Sequence, residues 1–120
     1  MKFLSMYKTP ERNTPPTAEE MEKMGKMMQE WFGSGKLLAA EGCMPSMFGA
    51  RVRQTKGQFA VTDGPFTEAK ELVGGLAILQ APSREAAIEY VKEFMQVAGD
   101  GECELRQLYE NPQDTCAGKQ

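Results

Sequence analysis

Residues 72–81 read LVGGLAILQA, and a strand of that composition has no polar face to turn toward water. Successive strand residues point to opposite sides of a sheet. Both sides of this one therefore need apolar cover, which places it at the centre of a sheet. Gly74 and Gly75 within it predict a bulge or a close backbone approach. Whatever this chain folds into must supply a layer on each side of that strand.

The rest of the chain supplies one such layer. Residues 2–8 form a strand with Phe3, Ser5 and Tyr7 on one face and Leu4 and Met6 on the other. Neither face is polar, so this strand is also expected to be central. A proline-rich loop follows. Thr17-Ala-Glu-Glu20 then fits a capping box that opens a helix, with Glu19 and Glu20 at the positive end of its dipole. Met21, Met24, Met28 and Trp31 recur at spacings of three, four and three, with Met27 and Phe32 widening the stripe. That is one helical face, expected to pack on a sheet. Gly33 and Gly35 end the helix.

Residues 36–41 read as a short apolar strand, and 42–49 as an irregular link. Residues 50–54 and 58–62 are the arms of a hairpin turning at Thr55-Lys-Gly57. Arg51 and Arg53 share one face and Val52 lies opposite, a pattern expected of a half-exposed pair. After the 72–81 strand, Ser83 caps a second helix, whose apolar face carries Ala87, Ile88, Val91, Phe94, Met95 and Ala98. Gly99-Asp-Gly101 stops it. Residues 102–110 form the last strand, and 111–120 a polar, disordered tail.

The order is β-α-β-(hairpin)-β-α-β. It predicts an α+β, ferredoxin-like split βαβ domain over residues 1–110, with an antiparallel sheet, two helices on one face and an extra hairpin. Two helices cover only one side. The uncovered side is still apolar, so a homodimer through the open sheet face is expected, giving a dimeric α/β barrel.

Composition excludes several functions. The chain has 120 residues, a net charge of −3 and no Lys/Arg block, so nucleic acid and anionic membranes are not expected partners. No apolar run approaches the ~20 residues of a membrane span, and a cytoplasmic location is expected. There is no histidine. This removes Ser–His and Cys–His nucleophile systems and the commonest metal ligand. Cys43, Cys103 and Cys116 form no metal-spaced set. They read as free thiols, with Cys43 or Cys103 as small buried hydrophobes. No metal or cofactor is expected.

The chemistry that remains gathers at residues 61–75, VTDGPFTEAKELVGG. Asp63 suits an Asx-type turn, Gly64 an unusual φ and Pro65 a fixed one, with Phe66 anchoring the loop in the core. Alternatively Asp63, Glu68 and Lys70 converge at a cleft mouth, where a buried carboxylate beside a lysine transfers protons. Arg51, Arg53 and Arg106 are candidate anion holders. Tyr7 and Ser5 are candidate pocket walls or plain core positions. Three readings stay open: a dimer binding an unknown small molecule, a histidine-independent enzyme, and a protein-interaction module.

The string TDGPFTEAKELVGG, with a hairpin before it and an apolar strand and helix after it, resembles the DGPF signature of the YCII-related proteins. The resemblance extends over residues 1–110, including the opening KFLSMY strand. It implies a dimerising ferredoxin-like domain with no settled activity. It carries over Asp63, Gly64, Pro65, Phe66, Glu68, Lys70 and Gly74 as motif positions. Some relatives have been proposed to be enzymes on the strength of a His and an Asp in a dimer cleft; this chain has the Asp candidate alone. Similar members often accompany extracytoplasmic-class sigma factors, which implies an accessory role.

Overall fold

The computed structural model describes residues 1–11, 16–66 and 72–110. Six strands and two helices follow one another as β1 (Lys2–Thr9), α1 (Ala18–Ser34), β2 (Leu37–Gly42), β3 (Ala50–Thr55), β4 (Gln58–Asp63), β5 (Leu72–Gln80), α2 (Arg84–Ala98) and β6 (Glu102–Gln107). A short 3-10 turn, Ser46–Phe48, precedes β3.

Four strands make one antiparallel sheet in the order β2-β5-β1-β6. That arrangement, with two helices, is the one expected for a ferredoxin-like α+β fold. The two strands without a polar face, β1 and β5, occupy its centre, and Phe3 lies opposite Leu79 in their register. Between Tyr7 and Lys8 the register shifts, so that Tyr7 faces Gly75 and Lys8 faces Val73. Gly74 is the residue passed over. A Cβ on Gly75 would stand 3.2 Å from the Glu41 carbonyl oxygen, so the neighbouring strand approaches closely there, as the two glycines predict.

The helices form where their caps are. Thr17 accepts from the Glu20 N–H at 3.1 Å, and the Thr17 N–H donates to the Glu20 carboxylate at 3.1 Å. Gly35 closes α1 with φ 82, a conformation costly for a residue with a Cβ. Ser83 caps α2 by accepting from the Ala86 N–H. The core is small: Phe3, Trp31, Leu37, Leu79, Ala81 and Ala87, with Met27, Met28, Tyr90, Val91, Phe94 and Leu105 packed around it. Lys36 lays its ammonium 4.9 Å from the Tyr90 ring centre and 5.9 Å from that of Trp31, closing the core's edge.

Three expectations are corrected. The α1 stripe does not pack on the sheet along its length: Trp31 is buried, but Met21 is 62% exposed and Phe32 is exposed too. The β3–β4 hairpin is not half exposed. It forms a separate two-stranded sheet in which every residue is exposed, because among the described residues no helix or strand lies over either side. Its turn is the two-residue Lys56-Gly57, both at positive φ (51 and 80), the geometry that matches strand twist. Finally, Cys43 is exposed just beyond β2, held by its N–H to the Gly74 carbonyl, and only Cys103 is partly buried. The 111–120 tail and Cys116 lie outside the described residues.

Candidate functional site

Because α1 leaves the sheet toward its N-terminus, a cleft of about 850 Å³ opens between the two helices and the helix-facing side of the sheet. Met21, Met24 and Met28 form one wall, and Val91, Phe94 and Val97 another. Ser5 and Tyr7 of β1, Ala40 of β2 and Ala77 and Leu79 of β5 form the floor. Glu11, Glu20, Glu41 and Cys43 stand among the lining residues nearer the loops. Among the described lining residues there is no lysine or arginine. The helical methionine spacing thus supplies a wall as well as core, and methionine is suited to adaptable apolar surfaces.

The polar floor is held in place by neighbouring strands and α2. The Tyr7 hydroxyl donates to the Asp100 carbonyl at 2.9 Å, with the Gly99 carbonyl at 3.1 Å. These carbonyls lie just past the end of α2, where helix carbonyls lack partners. The Tyr7 ring meets Phe94 edge-on, centroids 5.4 Å apart. Gly101 has to be glycine because a Cβ there would stand 2.6 Å from the Lys8 carbonyl oxygen and 2.9 Å from the Tyr7 ring. Ser5 is buried, and burial pushes the neighbouring Cys103 thiol pKa upward, with the Ser5 hydrogen bond opposing that shift. Cys103 is therefore a poor nucleophile at neutral pH.

The Asp63–Phe66 turn is built differently from the sequence expectation. The Gly64 N–H donates to the Gly49 carbonyl at 2.9 Å, and the Phe66 N–H donates to Ser46 Oγ at 3.1 Å. Pro65, two residues on from Asp63, has no N–H for an Asx turn, and the next amide, Phe66, is already bonded to Ser46. Among the described residues the Asp63 carboxylate, which is exposed, accepts no hydrogen bond. Gly64 does not have a positive φ. It is required by proximity, since a Cβ would fall 1.7 Å from the Ser46 carbonyl oxygen. Phe66 is not in the core; it is half-buried, with the Arg51 guanidinium 4.0 Å above its ring.

Ser46 is the hub of this turn. Its N–H and its hydroxyl both donate to the Glu11 carboxylate, the latter at 3.1 Å, while its oxygen accepts from Phe66. Glu11 also lines the cleft. The DGPF turn is thus tied through Ser46 to the cleft rim. Neither Glu11 nor Ser46 stands out in the sequence: one is an acid in a proline-rich loop, the other a serine in an irregular link.

Of the candidate residues, Ser5 and Tyr7 lie in the cleft floor. Asp63, Arg51, Arg53 and Phe66 belong to the hairpin and its turn and do not line the cleft. Glu68 and Lys70 lie outside the described residues. Among the described residues no group of three His, Cys, Asp or Glu is placed to hold a metal ion. None of the described helices is long and apolar enough to cross a membrane.

Residues 1–110 match the YCII-related domain. The chain belongs to the YCII-related family. A weaker similarity, 26% identity over 89 residues, links it to an uncharacterized protein of Rhizobium meliloti (strain 1021), covering 73% of this chain and 72% of that one. Within this YCII-related domain the motif residues Asp63 to Phe66 close the hairpin, and the motif glycine Gly74 sits at the β5 bulge beside the cleft.

Proposed function

We propose that this YCII-related protein is a homodimer of a single domain, residues 1–110, that binds a small, mainly apolar molecule in the cleft beside the DGPF turn. The observation that carries the reading is the cleft itself. Its 850 Å³ and its apolar walls with a few polar groups, Ser5 and Tyr7 at the floor, fit the usual form of small-molecule sites. The carboxylates among the lining residues disfavour an anionic ligand and suit a neutral or cationic one. The hydrogen bonds from Glu11 through Ser46 to Phe66 give the DGPF motif a role in shaping the rim.

Dimerisation through the open sheet face, as a dimeric α/β barrel, is part of the same reading. Alternation puts Leu4 and Met6 of β1 on the side away from Phe3 and Ser5, and their register partners Ile78 and Leu76 lie on that side too. Both helices are on the other side. A second copy would give β1 and β5 the second layer they need.

A thermal-shift screen with neutral and cationic apolar metabolites tests the ligand. A ligand at a hundred times its dissociation constant should stabilise the protein by about 2.7 kcal/mol. Met24→Trp, which fills the cleft from a half-buried position, should abolish the shift. A shift that survives Met24→Trp, or no shift across the set, defeats the reading.

A further inference from the structure

The β3–β4 ribbon has two unlike faces. Val52 pairs with Val61 and Gln54 with Phe59, and paired residues share a side, so Val52, Phe59 and Val61 lie together. The reverse side carries Arg51, Arg53, Ala60 and Thr62. Such alternation belongs to a strand pair buried on one side. Yet Val52, Phe59 and Val61 are 67%, 69% and 65% exposed. A lone two-stranded hairpin is marginal in water. The adjoining 3-10 turn adds the exposed Met47 and Phe48. These five side chains present roughly 700 Å² to solvent, near the roughly 800 Å² that each partner contributes to a standard interface.

We propose that the apolar face of this ribbon packs against the same face of a second copy of this chain, as an arm added to the sheet-to-sheet dimer. The proposal rests on the dimer reading above and extends it. The charges at the ribbon's two ends favour a second copy over another partner. Lys56 stands at the tip and Asp63 at the base. A two-fold contact is reciprocal. Two ribbons packed antiparallel bring the tip of each toward the base of the other, so Lys56 meets the partner's Asp63 twice.

Sedimentation of the full chain tests this. The wild type should run as a dimer. Phe59→Asp with Val61→Asp should weaken the dimer at least about a hundredfold, since each charge is buried in both copies, with an unchanged far-ultraviolet spectrum because both side chains are exposed in the single chain. If that variant misfolds, Phe59→Ser with Val61→Ser gives the same readout. Lys56→Glu and Asp63→Lys should each weaken the dimer about fivefold at low salt, and their combination should restore it. A monomeric wild type defeats the dimer and the arm together. A wild-type dimer whose affinity ignores the Phe59 and Val61 changes defeats the arm alone. Single charge reversals that weaken the dimer without mutual rescue defeat ribbon-to-ribbon pairing.

Discussion

The protein contains two antiparallel sheets that differ in what stands over them. The four-stranded sheet has α1 and α2 on one side, and its central strands put Phe3, Leu79 and Leu37 into the core. The β3–β4 ribbon has cross-strand pairs of the same chemistry, Val52 with Val61, but both residues stay exposed, with no helix or strand packed over them among the described residues. Hydrogen bonding between strands is available to both. What separates them is burial of apolar surface, the dominant favourable term in folding. The main sheet should therefore open only with global unfolding, and the ribbon in a single chain far more readily.

The largest effect expected is on the sheet. Phe3 is almost fully buried, so Phe3→Ala should destabilise the domain by about 3–5 kcal/mol in urea unfolding. A loss under 1 kcal/mol would mean that the sheet core is not the centre of stability. Next comes the ribbon's base. Gly64→Val drives a side chain into the Ser46 carbonyl and should cost about 2–4 kcal/mol. Hydrogen exchange should speed in β3 and β4 while β1 and β5 stay protected; uniform acceleration would show that the two sheets are one cooperative unit.

Ser46→Ala should cost about 1–3 kcal/mol, because the Phe66 N–H loses its acceptor and Glu11 loses a donor. It should also loosen the cleft rim, seen as weaker binding of any ligand found by thermal shift. An unaltered affinity would separate the DGPF turn from the cleft.

The smallest effect lies on β1 and β6. The hydrogen bond with Lys8, then that with Arg106, holds the Glu104 carboxyl below the usual range, and the hydrogen bond to Glu104 raises Lys8 above its own. Solvent reaches all three groups, Lys8 and Glu104 about one-third exposed, so the contribution is modest. Its sign is fixed by linkage. The Glu104 part is present above the ordinary carboxylate pKa and fades as pH falls through the lowered one. The Lys8 part is present below the ordinary lysine pKa and fades as pH rises through the raised one. The Tm gap between wild type and Glu104→Gln should be widest near neutrality and close at both extremes; a gap constant with pH would remove these ion pairs from the account.

Much of the fold was legible because its signals are local. A capping box spans Thr17 to Glu20, an N-cap spans Ser83 to Ala86, and a strand without a polar face declares itself in ten residues. Candidate site residues were harder to place. Ser5 and Tyr7 reach the cleft because β1 is central, which alternation implied. Gly64 was expected for its φ, whereas the Ser46 carbonyl is what demands it. The Glu11–Ser46–Phe66 link joins residues 35 and 20 positions apart, and no spacing rule reaches that far.

By itself, then, the sequence determined the elements, their caps, the central place of residues 2–8 and 72–81, and a side of the sheet left without cover. Periodicity and capping are properties of neighbours along the chain, so they survive without the fold. The tertiary structure alone decided that the methionines of α1 divide between core and cleft wall, that Tyr7 is locked to the end of α2, and that the hairpin stands clear of its own sheet. Each of those depends on how far one element sits from another, a distance set by packing across the whole domain.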